Sequence, residues 1–343
     1  MRIWIKTLLI ISAALILTGI ICFGVSVAFG GADMTFKKRT NYTEVTSTFD
    51  EISHITVSDE YNDIVVKKAD GDSVKVIYCQ SEETGYDLRV SSGSLRVTFD
   101  NKRKLNSLIS FGSFDDNKLI LELPEESFEY IKLTTISGDV DAPELQSVET
   151  YIQSTSGDIT IGGNVGDLSV KTNSGDIQLN SSTVALSASL NSTSGEIRVS
   201  GDMGGNLKAH SISGEINFSG CFATDAVIST TSGDVDAKGL YLKNADIDTT
   251  SGDVELEDSS CAETCKIETN SGEISLERVD ANDYNLKTIS GEIKADILSP
   301  KLYNIDTVSG RINAPKNETV EGISGVFDAK TTSGNVTVKI VAQ

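Results

Sequence analysis

The sequence predicts an all-β protein: a β-solenoid of about eleven coils of about 19 residues, preceded by one N-terminal transmembrane helix. Three observations predict it. The first is a repeated phrase, Ser-Gly followed by Asp or Glu and then Val or Ile, with its glycines at 138, 157, 175, 195, 214, 233, 252, 272 and 291, and altered copies at Gly310 and Gly334. The second is alternation of apolar and polar residues on both sides of each glycine. The third is an uncharged apolar run over residues 7–29.

Aligned on its glycine, each copy becomes a row and the chain a set of columns. Five residues before the glycine stand Leu133, Ile152, Val170, Leu190 and their successors; two after it, every residue is Val or Ile, from Val140 to Val336. Period-two alternation marks strands with one buried face. A strand therefore enters the Ser-Gly, the chain bends, and a second strand leaves. The glycine is expected to serve the bend by adopting a positive φ. Three residues before it the column is all Ser or Thr, from Thr135 to Thr331, which predicts hydroxyl ladders between coils. A third, variable segment, such as 162–167 or 258–263, is expected to be a loop on one edge. Stacked at roughly 4.8 Å, eleven coils make a rod on the order of 50 Å long.

At the N-terminus, Arg2 and Lys6 precede the apolar run of 23 residues, long enough to span a bilayer as a helix. Ser26-Val27-Ala28 would suit a signal peptidase, but the run exceeds a usual signal core, which favours an uncleaved anchor. Residues 1–30 are thus assigned as the anchor and 31–48 as a juxtamembrane spacer. The strand-rich stretch 49–133 reads as an N-terminal cap or irregular first coils, and 134–343 as the solenoid with a C-terminal cap. Within the cap, 101–117 combines Lys102, Arg103 and Lys104 with Phe111 and Phe114, a basic and apolar insertion on an acidic chain. It is either an excursion without structure or a loop that contacts a partner or membrane. An acidic, Ser/Thr-rich rod behind a cationic N-terminus places the protein in the cell membrane as a single-pass chain, its β-domain extracytoplasmic.

The formal charge of −21 argues against nucleic acid as a partner, since phosphate binding needs a basic footprint. Catalytic motifs are scarce. His54 and His210 are the two histidines, and neither belongs to a metal or nucleophile motif. Paired acids such as Asp234 with Asp236 share the outer face of a strand, where a solvated surface explains them. A carbohydrate-cleaving site on the coils is the weaker enzymatic alternative.

The acid after each glycine forms the most specific candidate site: Asp139, Asp158, Asp176, Glu196, Glu215, Asp234, Asp253, Glu273 and Glu292. In register these carboxylates stand roughly 5 Å apart. Ca2+ bridging between coils is one reading; the other is that each carboxylate caps its own turn and faces water, and the low number of ligands per coil favours the second. No other cofactor is expected. Outside the anchor lie Cys79, Cys221, Cys261 and Cys265, as free thiols or with one disulfide.

The phrase Thr-x-Ser-Gly-Asp-Ile at about 19 residues, behind a short anchor and the Leu119-Glu122-Leu123-Pro124 lead-in, resembles a bacterial domain family of unknown function, the putative adhesins of the LiaG type. The resemblance covers residues 49–343 and implies a membrane-attached β-repeat protein of the cell envelope, associated with envelope stress. It carries over no catalytic or ligand residues. The expectation is a non-enzymatic binding protein whose partner is an envelope protein or a glycan; a structural spacer or regulatory partner of another membrane protein is the alternative.

Overall fold

The computed structural model describes residues 42–102, 118–317 and 322–342. The expected anchor, most of the spacer, and Arg103, Lys104, Phe111 and Phe114 lie outside the described residues. Among the described residues no helix is long and apolar enough to cross a membrane.

The described residues are β-strand almost throughout. Six strands open it: β1 (Thr43–Phe49), β2 (His54–Ser58), β3 (Asp63–Lys68), β4 (Val74–Gln80), β5 (Thr84–Ser91) and β6 (Ser94–Asn101). Next come β7 (Lys118–Leu123), β8 (Phe128–Thr134), β9 (Val140–Gln153), β10 (Ile159–Lys171), β11 (Ile177–Asn191), β12 (Ile197–His210), β13 (Ile216–Thr230) and β14 (Val235–Thr249). The last are β15 (Val254–Glu257), β16 (Ser260–Thr269), β17 (Ile274–Thr288), β18 (Ile293–Ile297), β19 (Leu302–Thr307), β20 (Ile312–Asn313), β21 (Val326–Thr331) and β22 (Val336–Ile340).

These strands wind into a β-solenoid. Its nine turns from Gly138 to Gly291 stack in chain order, and neighbouring coils pair parallel and in register, as in Ile159↔Ile177, Ile177↔Ile197, Ile197↔Ile216 and Ile216↔Val235. Identical side chains therefore stack inward. Ile159, Ile161, Val170, Ile177, Leu190, Ile197, Ile216 and Ile228 are all within 1 % of complete burial. Each such side chain contributes about 1.5–3 kcal/mol, and the core runs unbroken along the axis.

In most coils the third segment is not the expected loop, although the strand is interrupted at 258–259 and 298–301. In β9 to β14 it continues the strand, so that single strands of 13 to 15 residues run from one Ser-Gly turn to the next. It pairs with its neighbours too, for example Asn164↔Thr183 and Cys221↔Leu240, with register shifts absorbing the one-residue differences in coil length. Sequence variability there comes from outward-facing positions and bulges, while Val165, Val184, Met203 and Cys221 still face the core.

The N-terminal end departs from the pattern in a readable way. β2 and β3 form a coil without Ser-Gly that stacks directly on the Gly138 coil, through Ile55↔Ile131 and Ile64↔Val140. Its turn is Asp59–Asn62, where Asp59 Oδ1 accepts the N–H groups of Glu60 (2.7 Å), Tyr61 (3.0 Å) and Asn62 (2.9 Å). Asp59 thus does the work of the Ser/Thr column and Asn62 that of the glycine. β6 and β7 continue the stack parallel to β2 and β3, and antiparallel β5, β4 and β1 close it off. Switching from parallel to antiparallel pairing ends the solenoid and covers its edge.

At the other end the last two coils exchange places. The Gly334 coil lies between the Gly291 and Gly310 coils: β21 pairs with both β17 and β19, and β22 with both β18 and β20. The sequence pattern suggests a final coil at the C-terminus; the outermost coil is instead that of Gly310. Pattern alone cannot order these two coils, because both carry the same phrase.

Candidate functional site

Three chemically distinct columns meet at the turn ridge. The glycines do not adopt the expected positive φ; those that do, such as Gly163, Gly220 and Gly239, lie in the third segments. A Cβ on a repeat glycine would instead fall 1.7–2.0 Å from a carbonyl oxygen of the adjacent turn, Gly138 O for Gly157 and Gly195 O for Gly214. Close approach of backbones, not turn conformation, demands glycine.

The hydroxyl column is the consequence. From Thr135 to Thr288 each Ser or Thr accepts the N–H of the glycine three residues on, as in Gly214 N to Ser211 Oγ (2.8 Å) and Gly291 N to Thr288 Oγ1 (3.0 Å). From Ser192 onward the same hydroxyls donate to the glycine carbonyl of the adjacent coil, with Thr288 Oγ1 to Gly272 O at 3.1 Å. The ladder runs hydroxyl to backbone rather than hydroxyl to hydroxyl, and it satisfies groups that are buried.

The acidic column forms in register, and its aspartates point along the axis. Asp139 Oδ1 accepts the N–H of Asp158 (2.8 Å), Asp158 that of Asp176 (2.8 Å), Asp176 that of Glu196 (2.8 Å), Asp234 that of Asp253 (2.8 Å) and Asp253 that of Glu273 (2.7 Å). Asp63, in the first coil, does the same for Asp139 (3.0 Å). A one-carbon side chain matches the rise of one coil. The longer glutamates turn sideways: Glu196 to Arg198 and Asn217, Glu273 to Lys294, Glu292 to Asn335. Each ladder carboxylate is thereby a charge-assisted cap for the next coil. Among the described residues no group of three or more His, Cys, Asp or Glu side chains is placed to hold a metal ion.

Beside this ridge, the outgoing strands of β11 to β15 form the floor and walls of an open groove of about 530 Å3. Alternation puts every second residue outward, so one column reads Gln178, Arg198, Asn217, Asp236 and Glu255. Amide, guanidinium and carboxylate groups thus stand side by side at strand spacing. Asn217 Nδ2 donates to Glu196 Oε1 (2.7 Å), and Lys238 pairs with Glu257 (2.9 Å). Among the described residues no cation pairs with Asp236: partial burial, a hydrogen bond with Glu215 and the charges of Glu215, Glu255 and Asp234 push its carboxyl up to about 6. The groove offers a row of donors and acceptors for a ligand lying along the solenoid axis.

Other sequence-marked residues stay apart from the groove. His54 sits in the first coil beside Ser53 and Glu129, and His210 contacts Ser229. Lys102 is exposed and 3.6 Å from Asp100. Cys79, Cys221, Cys261 and Cys265 are free thiols; burial raises Cys221 to about 12, and a hydrogen bond with Cys261 raises Cys265. The sequence marks Asp234 and Asp236 as a solvated pair and Glu215 and Asp234 as members of the acidic column without grouping them around Asp236, and it does not mark the exposed stacked pair Phe222 and Tyr241 (ring centroids 4.9 Å apart). Their only signal is column position: neighbouring coils place acid beside acid and aromatic beside aromatic.

A family model described as Toastrack DUF4097 matches residues 52–222 and 202–343, across the cap, the groove and the inverted end. The chain belongs to the Toastrack DUF4097 family. This agrees with the resemblance drawn from the repeat phrase. The Toastrack chain is also similar to solved structures. One is a putative lipid-binding protein from Parabacteroides distasonis (15 % identity, TM-score 0.42, covering 87 % of this chain and 98 % of that one). Another is a putative adhesin from the same organism (14 %, 0.42, 85 % and 98 %). A third is a putative adhesin from Parabacteroides merdae (14 %, 0.38, 77 % and 99 %). No curated protein matches the Toastrack chain.

Proposed function

We propose that this chain is a non-enzymatic binding protein of the bacterial cell envelope, an adhesin-type module that holds a glycan along its groove. The groove over Gln178, Arg198, Asn217, Asp236 and Glu255 carries this reading. Amide and carboxylate side chains at regular spacing suit the hydroxyls of successive sugars, and long solenoid faces suit extended ligands. The net charge of −21 disfavours anionic polymers and favours a neutral or amine-bearing glycan. Residues 7–29 anchor the chain in the membrane, with the β-domain extracytoplasmic and its role tied to envelope stress.

Pull-down from native envelope tests this. Full-length chain in mild detergent captures envelope polysaccharide intact, and Asn217→Ala with Asp236→Ala captures much less. Capture of a membrane protein that depends on residues 101–117, with no glycan, would replace this reading with the regulatory-partner alternative. Cleavage of the captured glycan would overturn the non-enzymatic assignment.

A further inference from the structure

The inverted C-terminal coil has an unusual status. It follows the Gly310 coil in sequence, yet it lies inside that coil and is held on both sides by parallel pairing: Phe327 faces Tyr284 and Tyr303, and Val336 faces Ile293 and Ile312. Phe327 and Val336 are completely buried, and the Phe327 ring lies 5.1 Å from Tyr284 and 5.9 Å from Tyr303. Two coils can satisfy the edge it occupies. Thr331 Oγ1 donates to Gly291 O at 3.1 Å, and Thr307 Oγ1 donates to Gly334 O at 3.1 Å. The Gly310 coil therefore carries the same hydroxyl, glycine and apolar residues that the Gly291 coil requires of its neighbour. It also reaches translation first.

The connection into the slot is long, and two of its glycines adopt positive φ. Twelve residues separate Asn313 from Val326, a reach of about 40 Å when extended. Gly322 and Gly325 have φ of +72° and +126°. Lys301, 1 % exposed, anchors the far side by donating from Nζ to Ser324 O (3.1 Å) and Ser324 Oγ (3.0 Å).

We propose that the coil over Val326–Ile340 is an exchangeable element, and that its slot between the Gly291 and Gly310 coils accepts the same coil of a second copy of this chain. Reciprocal exchange preserves every contact within the slot, so two copies joined this way differ from two monomers only in the course of their connections. The chemistry of the slot selects its occupant: a parallel strand with an aromatic residue seven before the glycine of a Ser-Gly and a β-branched residue two after that glycine. A second copy supplies that pattern by identity. The exchange is slow, because the slot opens only when the Gly310 coil lifts away.

Lys287 and Lys330 are register partners on adjacent strands, both pointing outward, and report on the slot. Full-length chains carrying Lys287→Cys and Lys330→Cys are mixed, unfolded and refolded together at high concentration in mild detergent, then oxidised. Peptide mapping by mass spectrometry is expected to find the 287–330 disulfide between chains, and not when each variant is refolded alone before mixing. A chain ending at Gly325, refolded in the same way, is expected to show no dimer beyond that of the unrefolded full-length protein by light scattering. Absence of the interchain 287–330 link after co-refolding, or equal refolding-induced dimer in the truncated chain, would overturn the proposal.

Discussion

Replacing Gly214 by alanine tests the reason for the repeat glycine. Its Cβ would stand 1.9 Å from Gly195 O, 2.6 Å from Gly195 C and 2.8 Å from Ser211 Oγ. Relief to about 3 Å means moving two coils apart by about 1 Å at the turn. Overpacking of that size costs about 1–3 kcal/mol. The same movement weakens the bonds from Gly214 N to Ser211 Oγ (2.8 Å) and from Ser211 Oγ to Gly195 O (3.5 Å), adding about 1–2 kcal/mol. Stiffening of the unfolded chain returns about 0.4–1 kcal/mol. The expected net loss is about 1–5 kcal/mol, with its middle at about 3 kcal/mol. Gly220→Ala is the control. Its φ is +60° and nothing lies within 4 Å of its Cβ, so the loss is that of a left-handed alanine, about 1 kcal/mol after the same unfolded-state gain. Urea unfolding gives the ranking, and amide exchange near Ser211 and Thr230 localises the damage, which matters because repeat arrays can open in parts. Equal losses at the two sites, or a greater loss at Gly220, would refute the close-approach explanation.

The remaining predictions concern the ridge and the groove. Asp158→Ala, which removes the acceptor for Asp176 N, lowers stability by about 1–2 kcal/mol, and Asp158→Asn recovers most of it, by urea unfolding. Excess chelator leaves Tm unchanged, since the ladder aspartates are already occupied by backbone N–H groups; a fall in Tm would restore calcium bridging. Because the folded-state pKa of Asp236 is raised from 3.8 to about 6, the folded protein binds the extra proton. Stability contributed by this group is full below pH 3.8 and is lost as pH rises to about 6. Asp236→Asn should remove that slope and stabilise the protein at pH 7 relative to wild type, as measured by Tm against pH.

Much of this architecture was legible because a solenoid repeats its own physics. The β-branched residue after each acid and the aliphatic residue before each bend stack on their own kind, so columns in the sequence become columns in the core. The glycine was legible and its reason was not: sequence shows that a side chain is missing, while only stacked backbones show that Gly138 O occupies its place. The stretch 49–133 read only as a cap or irregular first coils, because Asp59-x-x-Asn62 replaces the phrase with a different set of atoms doing the same capping. The third segment looked like a loop because bulges shift its alternation. Coil order at the C-terminus is invisible to pattern, since Gly310 and Gly334 carry interchangeable phrases. For the site, the acidic column was seen and its hydrogen bonding was not, because Asp and Glu differ there by the length of one methylene. The groove arises from residues on successive coils, from Gln178 to Glu257, and only register brings them side by side.

The most direct test of the binding claim is backbone amide mapping of the full-length chain in detergent during titration with isolated neutral envelope polysaccharide. The account predicts perturbations confined to the outgoing strands from Gln178 to Glu257 and lost in the Asn217→Ala, Asp236→Ala variant. Saturable binding with the groove unperturbed, or binding unchanged in that variant, would contradict it.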